Sequence, residues 1–471
     1  MYKFFNKFSF LYFLVILEKE IRKNREGNAL RSEKEMMDMI VGIAVKDTRI
    51  RGVYMNGSRT NPNAPQDVFQ DYDIVYIVYE TESFRKDREW IDIFGKRLYM
   101  QYPDDVPGQE TDAENCYGYL MQFGDGNRLD LHLVTLEYAL KDICHDRLCE
   151  ILLDKEQILP EIPKATDEDH WVKRPEKEEF LHCCNEFWWM LNSIGKGLWR
   201  GEIPYVMDML NMHSRPELMK MLAWNVGVEN GFSCSVGKSG KYLSKYLPES
   251  QYGRLLKTYP QAKEDAIWQA VFEMCGLFDE TARKVGDRMK IAYDEEEAKN
   301  SRLYLECTYD LPRGMKEFLM VHRMKPVNAD EAAKIWLEGN LDAHHFIPEE
   351  YWKRNYDEVR RQLAEAEVYV YEDNEGIQGF AGITDGYIRG IFVRKGMRSK
   401  GIGKNLLKFC KAKYQELSLH VYDENKQAKE FYIREGFRVK QKGTDTNTGR
   451  LEYEMIWRKG YYKDEQKENK K

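Results

Sequence analysis

The stretch Asp71-Tyr72-Asp73-Ile74-Val75-Tyr76-Ile77-Val78 decides the fold of the first half of this chain. Its β-branched and aromatic residues are typical of a buried β-strand. Because a strand turns successive side chains to opposite faces, Asp71 and Asp73 lie on one face and Tyr72 lies on the other. The sequence therefore predicts a strand that begins with two carboxylates on the same face.

Two further segments extend this pattern. Gly57-Ser58 predicts a turn where backbone N–H groups and a hydroxyl approach a phosphate closely, because glycine has no Cβ. Residues 128–134 alternate polar with apolar side chains, which predicts a second strand that brings Asp130 beside the first two carboxylates. Hard divalent cations such as Mg²⁺ take oxygen ligands from carboxylates and substrate phosphates. The pattern thus predicts a metal-dependent nucleotide site, with Arg59 as a candidate phosphate contact.

Longer phrases around these motifs resemble a known family. They are Arg49-Ile50-Arg51, Met55-Asn56-Gly57-Ser58-Arg59-Thr60-Asn61-Pro62, Phe69-Gln70-Asp71-Tyr72-Asp73-Ile74, Asp125-Gly126-Asn127-Arg128-Leu129-Asp130-Leu131, Cys183-Cys184-Asn185-Glu186-Phe187-Trp188 and Met221-Leu222-Ala223-Trp224. The chain from about residue 30 to residue 311 is similar to the aminoglycoside 6-adenylyltransferases, the streptomycin adenylyltransferase family of the nucleotidyltransferase superfamily. The resemblance implies a mixed-sheet nucleotidyltransferase core over residues 30–150 and a helical substrate-binding domain over residues 151–311.

The resemblance also implies a reaction. It is the transfer of AMP from ATP to a hydroxyl of a streptomycin-type aminoglycoside, with Mg²⁺ and with release of pyrophosphate. Carried over to this sequence, Gly57-Ser58 would hold the triphosphate, and Asp71 and Asp73 would ligate the metal. Asp130 would either complete the metal site or accept the proton of the attacking hydroxyl. His132 departs from the small hydroxyl residue expected at its position, and it either hydrogen-bonds Asp130 or simply packs.

Residues 178–230 place apolar side chains three and four positions apart, which predicts amphipathic helices packed in a bundle. Most of the tryptophans in this segment are expected in its core, since large aromatic side chains dominate core burial. Glu202 and Asp208 are candidate ligands for the ammonium or guanidinium groups of an aminoglycoside substrate.

Composition limits the classes of protein that this chain can belong to. Its 471 residues suggest about three units, and a hydrophobic content of 42% is enough for packed cores. A formal net charge of −7 argues against a general nucleic-acid binder and suits a polycationic substrate. Nine cysteines without a Cys-x-x-Cys pair indicate neither a disulfide framework nor a zinc site. We therefore expect a cytoplasmic protein that binds no nucleic acid.

The first 29 residues contain an apolar run over residues 8–17. This run is too short to span a bilayer, and no small-residue cleavage site follows it, so we expect neither export nor a membrane span. Two interpretations stay open for this segment. It is either an extension outside the native fold, from an upstream start codon, or a short amphipathic helix for a membrane surface or a dimer.

A second pattern begins after the turn-forming residues 312–317, which we interpret as a linker. A strand-like run, Ile388-Arg389-Gly390-Ile391-Phe392-Val393, leads into the basic loop Arg398-Ser399-Lys400-Gly401-Ile402-Gly403-Lys404 and then into a helix. Free N–H groups and the positive end of the helix dipole make such a helix N-terminus an anion site.

Two motifs in this region resemble the GNAT superfamily of N-acetyltransferases. Arg398, Gly401 and Gly403 match its Arg-x-x-Gly-x-Gly loop, and residues 425–437 match its Asn-x-x-Ala-x-x-Phe-Tyr-x-x-x-Gly-Phe segment. The resemblance covers residues 318–459 and implies an α/β domain with a central, mostly antiparallel sheet.

The same resemblance implies acetyl-CoA as acyl donor and an amine as the second substrate. The loop Arg398–Lys404 and Asn425 would bind the coenzyme, and the strand backbone near Phe392 and Val393 would contact its pantetheine. Tyr432 would protonate the departing thiolate. Candidates for the base that accepts the proton of the amine are Glu452 and His345.

Taken together, the sequence predicts a multidomain α+β and α/β protein that transfers both AMP and acetyl groups, with a disordered tail over residues 460–471. One alternative is a nucleotidyltransferase that acts on a protein or RNA acceptor, with the GNAT domain as an acyl-CoA-binding regulatory module. Another is an interaction protein with degenerate sites. The presence of Asp71, Asp73, Asp130 and Tyr432 argues against degeneracy, since a dead enzyme has no chemical need for them.

Overall fold

The computed structural model describes residues 31–108 and 110–460. This part of the chain forms two compact units: one holds the described residues up to Val172 with Ser233–Ser235, and the other holds Lys173–Phe232 and the described residues from Val236. The predictions for residues 1–29 and for the tail beyond residue 460 fall outside the described residues. The predicted domain boundaries at residues 150 and 312–317 stay predictions.

The first unit is built on a mixed six-stranded sheet in the order β3-β4-β5-β2-β1-β6. Strands β2 and β5 run parallel, and the other neighbours pair antiparallel. The strands are β1 (Ile50–Asn56), β2 (Tyr72–Val78), β3 (Arg97–Gln101), β4 (Cys116–Phe123), β5 (Arg128–Thr135) and β6 (Cys149–Asp154). The helices are α1 (Glu33–Lys46), α2 (Glu82–Lys86) and α3 (Leu136–Ile143).

Helix α1 covers one face of this sheet. It begins at a capping box in which Ser32 and Glu35 satisfy each other's backbone N–H groups. Its buried residues Met36, Ile40 and Ala44 recur every four positions and pack on the sheet.

Helix α3 covers part of the opposite face. Ala139 and Ile143 belong to a buried cluster with Tyr54, Val75 and Val134 of the sheet. Because side chains alternate along a strand, this is also the face that carries Asp73 and Asp130. The helix therefore packs beside the carboxylates, on the strand residues that follow them.

The second unit begins with a bundle of helices. Phe187 stacks on Phe278 with ring centroids 3.7 Å apart and ring planes within 2°, and Trp188 meets both rings edge-on. Trp188 and Trp224 are buried as expected, whereas Trp189 is 67% exposed. The helices are α4 (Lys177–Arg200), α5 (Ile203–Met209), α6 (Arg215–Glu229), α7 (Leu243–Tyr246), α8 (Glu249–Lys257), α9 (Glu264–Met289) and α10 (Glu295–Asp310).

The same unit continues into a seven-stranded sheet in the order β12-β13-β11-β10-β9-β8-β7. All neighbours pair antiparallel except β10 and β11, which run parallel and share a single paired position, Tyr387 with Ser418. The strands are β7 (Val321–Arg323), β8 (Glu367–Asp373), β9 (Gly376–Thr384), β10 (Tyr387–Val393), β11 (Glu416–Tyr422), β12 (Arg438–Thr444) and β13 (Leu451–Arg458).

Four helices cover this sheet: α11 (Ala329–Ala343), α12 (Glu349–Glu365), α13 (Ile402–Lys413) and α14 (Lys426–Arg434). Residues of α13 and α14 share one buried cluster with Leu417, Leu419 and Val421 of β11. Residues of α11 and α12 form another cluster with Val368 and Phe380. The predicted fold class, a mixed sheet with a helical bundle followed by an α/β domain with a mostly antiparallel sheet, is confirmed.

The residues around the predicted linker 312–317 are held by hydrogen bonds within the second unit. Trp199 donates its indole N–H to the Leu311 carbonyl at 2.9 Å, and Arg313 donates to the Leu198 carbonyl at 3.2 Å. Both contacts tie this segment to α4, so the bundle and the second sheet are continuous in structure. Among the helices of residues 31–108 and 110–460, no span is both long and apolar enough to cross a bilayer.

The aromatic stack in the bundle generates a stability prediction. Phe187→Ala removes a fully buried ring from its stack on Phe278 and leaves a cavity, so we expect a loss of about 3–5 kcal/mol in the free energy of unfolding. Trp189→Ala on the same helix is the control, with an expected change below about 1 kcal/mol because this side chain is mostly exposed. Urea unfolding followed by circular dichroism measures both, and equal losses would contradict the assignment.

Candidate functional site

Three carboxylates meet where β2 and β5 begin. Asp73 lies directly opposite Asp130 in the parallel ladder, and Asp71 immediately precedes β2. One oxygen of each residue lies within 4.8 Å of an oxygen of the other two. Asp130 is buried, with 8% of its surface exposed, and the other two are half-buried. The structure thus brings together the three residues that the sequence proposed as one group.

This cluster is electrostatically strained. Burial, followed by the negative charges of Asp71 and Asp130, raises the pKa of Asp73 to about 7. Carboxylate oxygens at such distances are the donor set that a hard divalent cation prefers. A cation among them would offset the mutual repulsion, so the residues present fit the metal that the sequence predicts.

Arg128 belongs to this charged cluster, although the prediction from the sequence did not include it. Its Nε and Nη2 donate to the two carboxylate oxygens of Asp130 at 2.8 and 2.6 Å, and its Nε lies 4.0 Å from Asp71. The hydrogen bonds with Asp130 are the main cause of the raised pKa of the guanidinium. The sequence does contain a signal for this contact. Arg128 lies two residues before Asp130 in a strand, so the two side chains share a face.

A contact with Asp73 requires glycine at position 57. Its φ is +78°, and a Cβ built on it would lie 2.2 Å from Oδ2 of Asp73. Its N–H donates to the Leu148 carbonyl at 3.2 Å and is therefore already engaged. Glycine at this position therefore leaves room for the Asp73 carboxylate. This requirement adds to the expected one, that a phosphate approaches the backbone closely.

Arg59 lies in the short 3₁₀ turn Gly57–Arg59, and its guanidinium faces the protein. Its Nε and Nη2 donate to the backbone carbonyls of Asp71 and Gln70, both at 2.9 Å. The guanidinium carbon also lies 3.7 Å from the centre of the Tyr72 ring. These contacts of Arg59 hold the backbone next to Asp71 in place. The sequence predicts Arg59 as a candidate phosphate contact.

His132 lies against Gly118 of the neighbouring strand, and burial lowers the pKa of its imidazole. The described side-chain hydrogen bonds that Asp130 accepts come from Arg128 and not from His132. Glu202 immediately precedes α5 and Asp208 lies within it, and both are exposed.

The basic loop before α13 has the shape of an anion site. Ser399 and Gly401 adopt positive φ values of 63° and 87°, and the first helical hydrogen bond runs from the Asn405 N–H to the Gly401 carbonyl. The amides at Ile402–Lys404 therefore have no partner within the helix. Asp342 of α11 pairs with both Lys395 and Arg398, and these bonds, that with Lys395 first, lower the pKa of its carboxyl group.

An opening in the second sheet lies beside this loop. Beyond the pair Tyr387–Ser418 the strands β10 and β11 share no ladder partners, so the β10 backbone up to Val393 is unpaired on that side. The Phe392 side chain does not face the opening, because its ring stacks on Phe380 at 5.2 Å. The Val393 carbonyl accepts a hydrogen bond from Nε of Arg398 at 3.2 Å, and the rest of this edge of β10 has no partner strand. The predicted contact of this backbone with the coenzyme stays a prediction.

Tyr432, the predicted acid, lies on α14, and Asn425, a predicted coenzyme-binding residue, immediately precedes this helix. Tyr432 is buried between the rings of Phe431 and Phe437, and burial raises the pKa of its phenol. A raised pKa keeps the phenol protonated at neutral pH, which suits an acid. The Asn425 side chain accepts from the Ala428 N–H at 3.1 Å as a helix cap and lies 3.1 Å from Nε2 of His344. This cap orders the residues that lead into α14.

The candidate bases differ in their surroundings. His345 packs edge-on against Phe346. Glu452 lies on β13, where its carboxylate is 4.0 Å from Nε2 of His420, and burial raises its pKa. His420 was not singled out in the sequence, because a lone polar residue in a strand carries no distinguishing signal.

Comparison with known proteins gives two matches on separate parts of the chain. The sequence model of the streptomycin adenylyltransferase family matches residues 30–308, and that of the acetyltransferase (GNAT) domain matches residues 364–439. The chain is 39% identical over 267 residues to the aminoglycoside 6-adenylyltransferase of Bacillus subtilis (strain 168), which covers 56% of this chain and 94% of that protein.

Two further relatives were found. The peptidyl-lysine N-acetyltransferase YiaC of Escherichia coli (strain K12) is 33% identical over 108 residues, which covers 22% of this chain and 74% of that protein. The crystal structure of an aminoglycoside 6-adenyltransferase from Bacillus subtilis is 35% identical, with a TM-score of 0.31, and covers 59% of this chain and 99% of that one.

The contact between Gly57 and Asp73 generates a prediction about metal binding. Gly57→Ala places a methyl group on the Asp73 carboxylate and strains the backbone, so we expect Mn²⁺ binding in the presence of ATP to weaken at least about 10-fold. Electron paramagnetic resonance of free Mn²⁺ measures this affinity.

Gly108→Ala is the matched control for that variant. Gly108 has a similar φ of +82°, but a Cβ there meets nothing within 4 Å. Its backbone strain is therefore comparable, and only the contact with the carboxylate is missing. Equal Mn²⁺ affinity in the two variants would show that the close approach to Asp73 does not matter.

Proposed function

Because the chain belongs to the streptomycin adenylyltransferase family over residues 30–308 and carries a GNAT acetyltransferase domain over residues 364–439, we propose that it is an enzyme with two transferase activities. Both resemblances found in the sequence are thereby confirmed. The first activity transfers AMP from ATP to a hydroxyl of a streptomycin-type aminoglycoside with the help of Mg²⁺. The second transfers the acetyl group of acetyl-CoA to an amine.

The main support for the first activity is the cluster of Asp71, Asp73 and Asp130, in which one carboxylate oxygen of each residue lies within 4.8 Å of those of the other two. When bound, Mg²⁺ supplies charge neutralisation for the phosphates and in-line positioning of the reacting groups. Asp71 and Asp73 would hold it, and Asp130 would either join them or take the proton of the attacking hydroxyl. Arg128, which already binds Asp130, would add positive charge beside the phosphates.

The turn before β2 has a supporting role in this proposal. Arg59 acts as a positioning residue, since two of its nitrogen atoms hold the carbonyls of Gln70 and Asp71. Ser58 would offer its hydroxyl to the triphosphate, and Gly57 leaves space for Asp73. The exposed Glu202 and Asp208 would bind cationic groups of the aminoglycoside, in accord with the names of the matching relatives.

Three features support the acetyl transfer: the basic loop before α13, the opening between β10 and β11, and the Tyr432 phenol on α14. The amides of Ile402–Lys404 and the cation of Arg398 would bind the pyrophosphate of acetyl-CoA, with Ser399 and Lys400 in the same loop. The β10 backbone near Phe392 and Val393, which has no ladder partner in β11, would contact the pantetheine, and Tyr432 would protonate the thiolate. One matching relative is named a peptidyl-lysine N-acetyltransferase, so lysine peptides join aminoglycosides as acceptors to test.

Adenylyl transfer is tested by pyrophosphate release from ATP with streptomycin and Mg²⁺. Asp73→Asn removes one negative ligand at the centre of the carboxylate cluster, so we expect the rate to fall at least about 100-fold. Asp38→Asn is the control, because this exposed carboxylate on α1 pairs only loosely with Lys34 at 3.4 Å. An active Asp73→Asn variant, or no turnover of any streptomycin-like acceptor by the unaltered protein, would refute the assignment.

Acetyl transfer is tested by the thiol released from acetyl-CoA with an amine panel. Tyr432→Phe removes the proposed acid but keeps the ring between Phe431 and Phe437, so we expect kcat to fall about 100-fold with little change in acetyl-CoA affinity. Tyr371→Phe, another partly buried tyrosine packed against the same cluster, should keep full activity. Undiminished thiol release by the first variant would eliminate Tyr432 as the acid.

A further inference from the structure

Three polar side chains form a row across neighbouring strands of the second sheet. The Tyr387 hydroxyl lies 2.8 Å from Nδ1 of His420, and Nε2 of His420 lies 4.0 Å from a carboxylate oxygen of Glu452. These residues belong to β10, β11 and β13, which are adjacent in the sheet. The row is therefore a phenol, an imidazole and a carboxylate in sequence, the order in which a proton can be passed from one group to the next.

The row begins at the opening between β10 and β11. Tyr387 and Ser418 form the last paired position before these strands separate. Tyr432 belongs to the buried cluster that also holds Ile388 and Leu417, which are next to Tyr387 and Ser418 in their strands. The proposed acid and the first member of the row thus lie near the same opening, where we place the thioester.

The other end of the row reaches solvent. The side chains of His420 and Glu452 are 36% and 21% exposed, whereas Leu419 and Val421, which alternate with His420 and Tyr422 along β11, are buried beneath the helices. The row therefore connects the opening in the sheet with water. A proton that enters at Tyr387 has a route out.

We propose that Tyr387, His420 and Glu452 form a proton relay that deprotonates the amine acceptor of the acetyltransferase domain. This inference rests on the proposed acetyl transfer and adds to it the path of the proton. It also assigns a function to two residues, Tyr387 and His420, that the sequence analysis did not single out.

The ammonium group of the acceptor gives one proton to the Tyr387 oxygen while the phenol passes its own proton to Nδ1 of His420, and the imidazolium is stabilised by Glu452. The free amine attacks the acetyl carbonyl, the C–N bond forms and the C–S bond breaks. Tyr432 gives its proton to sulfur, and the second proton of the nitrogen replaces it. The first proton leaves from His420 to water, so one proton is released for each amide formed.

The charges around the row favour this direction. The guanidinium of Arg389 lies 4.9 Å from the centre of the Tyr387 ring, where its positive charge favours transfer of the phenolic proton to His420. Burial raises the pKa of Glu452, the charge of His420 opposes this shift, and Asp445 adds to it. The charged and titratable groups that face the row, apart from its own members, are Arg389, Tyr432, Lys440, Asp445 and Glu454.

The first test needs no acceptor. The chemical shifts of the two ring nitrogens of His420 are measured by ¹⁵N NMR of the full-length protein with labelled histidine, and His420→Gln identifies its signals. Because the relay needs contacts at both nitrogens, Tyr387→Phe should shift the resonance of Nδ1 and Glu452→Gln should shift that of Nε2. Glu424→Gln, which removes a carboxylate paired with Arg450, is the control and should change neither resonance. Unchanged resonances in the first two variants would overturn the relay.

The second test compares amines that differ in their protonation. With acetyl-CoA and either kanamycin or a lysine peptide, whose amines arrive protonated, Tyr387→Phe should lower kcat/KM about 100-fold. Hydroxylamine arrives unprotonated at neutral pH, so its acetylation should change little. Equal losses with both kinds of acceptor, or no loss with either, would refute the relay. An unaltered protein that acetylates none of these amines would instead refute the proposed acetyl transfer.

Discussion

The parallel pairing of β2 with β5 is the constraint on which the first unit depends. It sets Asp73 directly opposite Asp130 and leaves Asp71 at the edge of the same group. Like charges at this separation repel each other strongly where the surroundings exclude water. The neighbouring structure accommodates them through Arg128, which binds Asp130, and through Gly57, whose missing side chain leaves room for the carboxylate of Asp73.

Both proposed sites lie where a sheet stops pairing. In the first unit, the carboxylates lie where β2 and β5 begin, beside the residues that α3 covers. In the second unit, β10 and β11 separate after one paired position, and the released backbone faces the opening. A sheet thus supplies a rigid frame and, at its interruption, polar groups that are not used in strand pairing, which a ligand can contact.

Several residues make contacts that their sequence position does not indicate. Arg59 follows a glycine-serine turn, a place that favours a phosphate contact, but its guanidinium binds backbone carbonyls that are brought to it by the return of the chain into β2. Asn425 belongs to a coenzyme-binding motif, yet its side chain caps α14 and meets His344, a residue 81 positions away. Such partners depend on contacts between distant segments, which local spacing does not describe.

The sequence by itself determined the fold class, the two transferase families and the grouping of Asp71, Asp73 and Asp130. These follow from strand alternation and from motifs whose residues are close in the chain. The tertiary structure alone decided that Arg128 neutralises Asp130, that Gly57 yields its space to Asp73, and that Tyr387, His420 and Glu452 form one row. The physical reason is register: which side chains meet across a sheet depends on how its strands align, and that alignment is set by the packing of the whole core.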